Sequence, residues 1–414
     1  MAPAHHDVVI IGAGIAGLRC AYQLVHEKGV KDVLVVEAQG RVGGRIMADT
    51  SFIPGMTIEV GAEFAHGANT SLTKFAEEQK WSLREIFTWA QGDGGPTDPA
   101  PDGGIGYYYL GDQKRILAFD DEDADFCKFN DAVDHLSEIE DVEAIPHNQS
   151  MMDYFKSWEL SPSMMKLADA GYANTAGSNL DDISLRVTCK YERQWIDLED
   201  EGDYRVVPTF MRIVDHFKTG ITTQLNWPVQ TIDYSSPDRV VITSKTGEQI
   251  SCRRLVVTVP TSVFKDIEYV PCLSQTKADA VDSFGMRRAA KVLMHFTDSF
   301  WPANAHGVIC SDCFLPEFWV NNTNGVGHLV ENGDEQLATI YSNSSGETQY
   351  LVTGYAGSAC ADRLKSLDPQ EIIEKFLDQL DDMFGTEEHP TPARSSFVKG
   401  KYFDWGDVEY IPPS

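Results

Sequence analysis

Six residues near the N-terminus, Gly12-Ala-Gly14-Ile15-Ala16-Gly17, have the spacing of a phosphate-binding turn. Gly12 allows a tight turn, Gly14 lets a pyrophosphate approach the backbone, and Gly17 lets a helix pack closely on a strand. Ile15 and Ala16 open that helix. Its free N–H groups and positive dipole end attract phosphate. Glu37 follows 20 residues after Gly17, where a carboxylate accepts hydrogen bonds from a ribose. Arg41, Gly43, Gly44 and Arg45 come directly after it. The arginines supply forked, permanently charged donors suited to a diphosphate. The glycine pair lets backbone lie close to a ligand. The chemistry expected of this set is dinucleotide binding.

Two further groups could carry a reaction. Lys291 lies in the apolar run Ala289–Phe296. Period-two alternation puts it on the face of Leu293 and His295, opposite Val292, Met294 and Phe296. A lysine buried in a strand is costly unless paired, and its pKa falls readily. An edge-strand lysine reaching water along its own stem is the alternative, and the pattern leaves both open. The loop Gly61-Ala62-Glu63-Phe64-Ala-His66-Gly67 adds a carboxylate and an imidazole. A lone histidine is more often structural.

The elements that must position these groups are legible. Asp7–Gly12 is a short apolar run ending in glycine, read as a buried parallel strand. Leu18, Ala21, Tyr22, Leu24 and Val25 recur at helical spacing, and Asp32–Glu37 is a second strand. Val240–Thr243, the turn Lys245–Gly247 and Leu255–Val259 read as strand, turn and strand. Residues 92–106 are a Gly- and Pro-rich loop, followed by a strand at Tyr107–Leu110. Residues 125 to 196 are largely helical, with breaks at Pro146, Pro162 and Gly177. Gln349–Ala356 reads as a strand and Pro369–Phe384 as a helix. The acidic runs Asp120–Asp123 and Glu138–Glu143 read as solvated faces. There are no internal repeats.

Composition narrows the classes. The chain has 414 residues, 42% of them hydrophobic, enough for a sizeable core in two or three domains. Lys and Arg number 34 against 63 Asp and Glu, a net charge of −29. That argues against general binding of nucleic acid or anionic membrane and is compatible with a cationic ligand. No apolar run approaches the ~20 residues of a membrane helix. The first residues have no basic n-region and no long apolar stretch, so no signal peptide is read. The eight cysteines are scattered, and Cys310-Ser-Asp-Cys313 lacks partners nearby for a metal site. The expected setting is a reducing one, cytoplasmic or another intracellular compartment. The oligomeric state is not legible.

The order of three blocks is more specific than any one of them. A strand ends in the glycine turn. A second ends in Glu37-Ala-Gln-Gly-Arg41-Val-Gly43-Gly44-Arg45, and a third block reads Gly61-Ala62-Glu63-Phe64-Ala-His66-Gly67. This resembles the flavin-dependent amine oxidases, most closely their polyamine-oxidase-like branch. Arg239–Gly247 with Arg254–Pro260, Ala289–Phe296 and Phe300-Trp301-Pro302 extend the likeness, which is thinner between about 85 and 200.

The resemblance implies an α/β fold: a Rossmann-like FAD-binding domain of the GR2 type, interleaved with an α+β substrate-binding domain. Residues 1–84 and 204–285 would form the FAD part. Residues 85–203, largely helical, and 286–400 would form the substrate part, and 401–414 would begin a return to the FAD domain. FAD would be the cofactor, with a small cationic amine and O2 as partners. FAD would contact Gly12, Gly14, Ile15, Ala16, Gly17, Glu37, Arg41, Gly43, Gly44, Arg45, Gly61, Ala62, Glu63, Phe64 and the Val229 backbone. Lys291 would meet flavin N5 through a water and assist the reaction with oxygen. His66 would line the substrate channel, and Glu63 would pair with a substrate ammonium. Hydride would pass from the amine carbon to flavin N5, the iminium would hydrolyse to aldehyde and amine, and O2 would return the flavin with release of H2O2.

Two departures accompany the likeness. Val206-Val-Pro208-Thr209-Phe210 stands where the family usually has glycines, and a proline fixes φ and removes a donor. The family's glycine-rich C-terminal block, with its aromatic pair and a helix at the flavin pyrimidine, has no counterpart before Ser414. The alternatives are an amino-acid oxidase of the same fold, or a non-catalytic flavin-fold protein that binds a partner or ligand. A histone-demethylase-like role is not expected, because no N-terminal helical module or long coiled-coil insertion is read.

Overall fold

The computed structural model describes residues 3–88, 104–118, 121–196, 202–302, 305–320, 346–411 and 413. Its strands begin with β1 (Ala4–Ile11), β2 (Val33–Val36), β3 (Ala48–Asp49), β4 (Ile58–Glu59), β5 (Ala65–His66), β6 (Leu83–Thr88) and β7 (Gly104–Leu110). Then come β8 (Arg115–Leu117), β9 (Asp203–Val206), β10 (Thr222–Gln224), β11 (Val229–Asp233), β12 (Val240–Ser244) and β13 (Gln249–Val257). The last are β14 (Glu268–Val270), β15 (Ala289–Phe296), β16 (Ala305–Ser311), β17 (Glu317–Val320), β18 (Tyr350–Gly357) and β19 (Phe397–Asp404). Most of the 92–106 stretch, and Asp120 of the first acidic run, lie outside the described residues.

Seven strands form one sheet in the order β10-β2-β1-β13-β12-β11-β14. β1 runs parallel to β2 and β13 at its centre. Its apolar run is continuous because both faces are covered. Val8 and Ile10 pack with Leu18 and Ala21 of helix α1 (Ile15–Tyr22) and with the helix Met211–Phe217. Val9 and Ile11 pack with Trp227, Ile232 and Ile242 on the other side.

The second sheet follows the order β19-β15-β18-β17-β16-β7-β6-β9-β5, with β8 paired to β7. One face carries Val292, Met294, Phe296, Phe318 and Val352 against the helix Pro369–Phe384. Asp368 caps that helix through the Gln370 N–H, and a proline opens it. The helices between Ala124 and Gln194 cover β7 and β8 through Phe126, Phe129, Phe155 and Leu167. The opposite face at β15 carries Lys291 and Leu293. Leu293 packs with Phe52, Ile53, Ile58 and Val60, which belong to the segment after the glycine–arginine block. That segment carries the small two-stranded sheet β3–β4, which packs on β15.

Strand pairing moves two expected boundaries. A break at 204 cuts β9, which pairs with β5 and β6 inside the second sheet. The chain rejoins the first sheet through the helix Met211–Phe217 instead. Residues 401–404 belong to β19, beside β15, and the return begins at Trp405, whose Nε1 donates to the Val60 carbonyl at 2.8 Å.

Candidate active site

The glycine turn separates into residues demanded by the chain and one that is not. Gly12 has φ +104°, and a Cβ there would stand 2.8 Å from Thr258 Oγ1. A Cβ on Gly17 would stand 1.9 Å from the Gly12 carbonyl oxygen. Gly12 is thus closed by its positive φ and the Thr258 side chain, and Gly17 by backbone. Gly14 has φ −70° and ψ 176°, open to any residue, and its Cβ position has no atom within 4 Å. The space in front of it is empty, and Gly43 and Gly44 border it: Gly14 bridges to Gly43, and a Gly44 Cβ would be 3.2 Å from the Gly14 Cα. Helix α1 starts there with no side-chain cap and no acid in its first turn. Its leading N–H groups are thus left for an anion.

Glu37 closes the adjoining corner, accepting from Ala13 N at 2.6 Å and Gln39 N at 2.9 Å. Arg41 is put to a different use than expected. Its guanidinium donates to the Gly44 carbonyl at 2.7 Å and holds the glycine pair in place. Burial pulls its pKa down. Arg45 stays exposed on the cleft, with no side-chain partner among the described residues. Val229 opens β11 opposite Ser244, its side chain against the Trp227 cluster.

A cleft of about 520 Å³ runs from Arg45 along the loop Gly61–His66 to β15, β17 and β18. Register sets its floor. Lys291 pairs with Tyr355, and Tyr355 pairs with Glu317. Directly paired residues share a face of the sheet, so Lys291, Tyr355 and Glu317 form one row across three strands. At about 4.8 Å per strand, Glu317 is roughly 10 Å from Lys291 between backbones. Phe64 stands edge-on to Trp319 with ring centroids 5.1 Å apart, giving aromatic walls.

Lys291 is only 5% exposed. β15 lies between β18 and β19, so the edge-strand reading does not hold. Its Nζ donates to the Glu59 carbonyl (3.0 Å), the Gly61 carbonyl (2.9 Å) and Glu63 Oε2 (2.8 Å). A water bridge from Lys291 would have to displace one of these acceptors. Glu63 corrects a second expectation. It is buried and already bonded to Lys291, Arg205 and Trp319 Nε1, so its ammonium partner is the protein's own. Burial alone would push the Glu63 carboxyl up, but Lys291 and Arg205 outweigh it and hold it below the usual range.

His66 lines the cleft at the end of β5 and bonds through Nδ1 to Asp203 on β9. That hydrogen bond raises its pKa. Glu317 was not singled out by sequence. Its Oε2 accepts from Asn174 Nδ2 (3.2 Å) and Thr175 Oγ1 (3.1 Å), and burial pushes it up to about 7. A signal was present, since Glu317 is a charge opening an otherwise apolar strand, two residues before Trp319. The Val206–Phe210 segment also acquires a partner: Phe210 N donates to Glu59 Oε1 at 2.8 Å, and Thr209 Oγ1 to the same oxygen.

The profile of the flavin containing amine oxidoreductases matches residues 15–412. The chain belongs to this family. It is 27% identical to "Lysine-specific histone demethylase 2" of Homo sapiens, over 98% of this chain and 47% of that protein. It is 23% identical to "Probable polyamine oxidase 4" of Arabidopsis thaliana, over 95% of this chain and 85% of that one. The chain thus spans about half the length of the histone demethylase it matches. The solved cyclohexylamine oxidase from Brevibacterium oxydans IH-35A superposes with a TM-score of 0.75 at 20% identity, covering 99% of this chain and 88% of that one. The expected fold class stands: an α/β flavin-binding fold with a second mixed sheet.

Membership makes FAD the cofactor, and the residues present fit it. The empty space at Gly14, the uncapped α1 N-terminus, Glu37 and unpartnered Arg45 form a cradle for a dinucleotide. Gly14→Ala is expected to leave the melting temperature of the flavin-free protein within about a degree while weakening FAD binding at least about 10-fold, because only the ligand would meet the new methyl. Gly17→Ala is expected to prevent folding, since its methyl meets a carbonyl. Thermal melts and fluorescence titration with FAD check both. Equal FAD affinity for Gly14→Ala and wild type would refute the cradle. Among the described residues, no helix is long and apolar enough to cross a membrane.

Proposed function

We propose that this chain is an FAD-dependent oxidase of a polyamine or short diamine, cleaving a C–N bond to aldehyde and amine. The observation that supports it is the Lys291–Tyr355–Glu317 row. It puts a carboxylate about two strand spacings from the lysine, on the scale of an aliphatic chain with a cationic far end. FAD, when bound, supplies the hydride acceptor and is returned by O2 with release of H2O2. The chain's residues bind and orient. Glu317 receives the distal ammonium, Tyr355, Trp319 and Phe64 hold the methylenes and exclude water, and Lys291 keeps a fixed positive charge on the wall. His66 borders the entry. The wall arginines Arg287 and Arg288 are bonded to Asp182 and Asp404, and Arg45 is assigned to the cofactor, which disfavours recognition of an amino-acid carboxylate.

The test is the visible spectrum of the FAD-loaded protein, with spermine, spermidine and putrescine added without oxygen. Bleaching with one of them is expected. A second reading, a demethylase acting on methylated lysine, is favoured by the similarity to the Homo sapiens protein. Bleaching with a methyl-lysine peptide and none with the polyamines would select it. Flavin bands unmoved by every amine would overturn both.

A further inference from the structure

We propose that Glu63 is the positioning residue of Lys291: it holds the buried lysine as an ammonium aimed along the cleft wall, with Arg205 closing the bridge behind it. The Lys291 role toward the flavin rests on the function proposed above. The bridge itself rests only on the geometry.

Lysine in an apolar strand has two outcomes, a neutral amine or a paired ammonium. Two carbonyls accept from Lys291, but carbonyls alone do not balance a charge. Glu63 Oε2 does, at 2.8 Å. Oε1 of the same carboxylate takes Arg205 and, at 3.3 Å, Trp319 Nε1. Both oxygens are therefore filled from inside the protein, from three strands that are distant in sequence. Lys291 is kept from approaching the substrate cation, and substrate is kept from competing for Glu63. The Lys291 Nζ also lies 5.1 Å from the Trp319 ring centroid, a second attraction for the charged form.

The groups facing this bridge from each packed element are Glu59 of β4, Arg205 of β9, Tyr355 of β18 and Trp319 of β17, with His306 of β16 near enough to feel Arg205. Burial pushes Tyr355 up to about 12 and His306 well down, so Glu59 is the one that ionises around neutral pH. Its Oε1 is held by Thr209 and Phe210, its Oε2 has no partner among the described residues, and burial pushes it up to about 7. Arg205 Nε is likewise without a partner among the described residues. Both residues line a second cavity of about 30 Å³, also lined by Glu63. A cavity of that size has room for about one water, which polar groups of this kind retain. Lys291 and Arg205 thus flank a single committed carboxylate, and Glu59 adds a further charge only as it ionises.

The test is a double-mutant cycle on the FAD-loaded protein, read by urea denaturation from pH 7 to 10. Glu63→Gln is expected to raise the unfolding constant about 100-fold at pH 7, because it strips a buried cation of its partner. Part of the loss is recovered as pH rises. The folded variant sheds the Lys291 proton, while the unfolded chain keeps its lysine protons to about 10.4, so the unfolded state binds more protons and stability climbs with pH. In the Lys291→Met background the recovery disappears. Glu63→Asp shows the same trend at smaller amplitude, and it carries the test should the glutamine variant not fold. A loss of equal size at every pH, or one unchanged by Lys291→Met, would mean that Glu63 serves Arg205 alone and overturn the proposal. In FAD-loaded protein, Glu63→Gln is expected to slow oxygen return of the flavin bands more than anaerobic bleaching. Absence of bleaching in wild type would count against the proposed function and leave the denaturation cycle to judge Glu63.

Discussion

Lys291→Met is expected to slow the oxygen-dependent return of amine-bleached flavin bands by about 100-fold or more, while bleaching without oxygen changes far less. A positioned charged or proton-bearing group contributes a factor in this range. Lys291 is fixed from three directions by Glu59, Gly61 and Glu63, so its charge costs no reorganisation as negative charge grows on oxygen. Methionine matches the stem and removes the charge. It also leaves two carbonyls and one carboxylate oxygen without a donor, which costs about 3 kcal/mol of stability. Stopped-flow spectra of the two half-reactions, together with urea melts, check both effects. Return at the wild-type rate would remove Lys291 from the oxygen step.

Glu317→Gln is expected to raise KM for a diamine or polyamine by about 10- to 100-fold, the worth of a hydrogen bond to a charged group. A monoamine of the same length should be affected little, since its far end carries no charge. The pH dependence has a definite sign. With Glu317 pushed up to about 7 by burial, the carboxyl is neutral below that pH and attracts a distal ammonium weakly. As pH rises through about 7 the anion forms and KM for the diamine falls, whereas the glutamine variant loses that fall. Stability moves the other way. The folded state keeps a proton on Glu317 that the unfolded chain releases near 4.3, so this group's contribution is present below that pH and is lost as pH rises through about 7. KM against pH for a diamine and a monoamine, in both proteins, decides it. Parallel changes for the two substrates would refute a distal-ammonium role.

The nucleotide end of the molecule was readable because its signals are local. Gly12, Gly14, Gly17 and Glu37 act within one strand–turn–helix–strand unit; Gly12 and Gly17 answer demands of nearby residues, and Gly14 leaves room for the ligand. The helix Pro369–Phe384 was equally plain, since its apolar spacing, Asp368 cap and opening proline are all consecutive. Even the face of Lys291 followed from alternation.

Its partners did not. Glu63 looked like a free carboxylate because nothing in its loop says that β15 and β9 deliver Lys291 and Arg205 to its two oxygens. Arg41 looked like a diphosphate ligand because its distance to the Gly44 carbonyl depends on how its own loop folds back. Glu317 passed unnoticed, although a charge in an apolar strand was visible.

The sequence by itself determined the family, the cofactor, the dinucleotide turn and the periodicity that buries each strand, because these depend on neighbours a few residues apart. Only the tertiary structure decided which charges neutralise one another, which carboxylate stays open to the cleft, and where β9 and β19 belong. Those depend on strand order and register, which bring together residues as far apart as Glu63 and Lys291. A charge in a low-dielectric interior is set by whatever lies within a few ångströms, however distant along the chain.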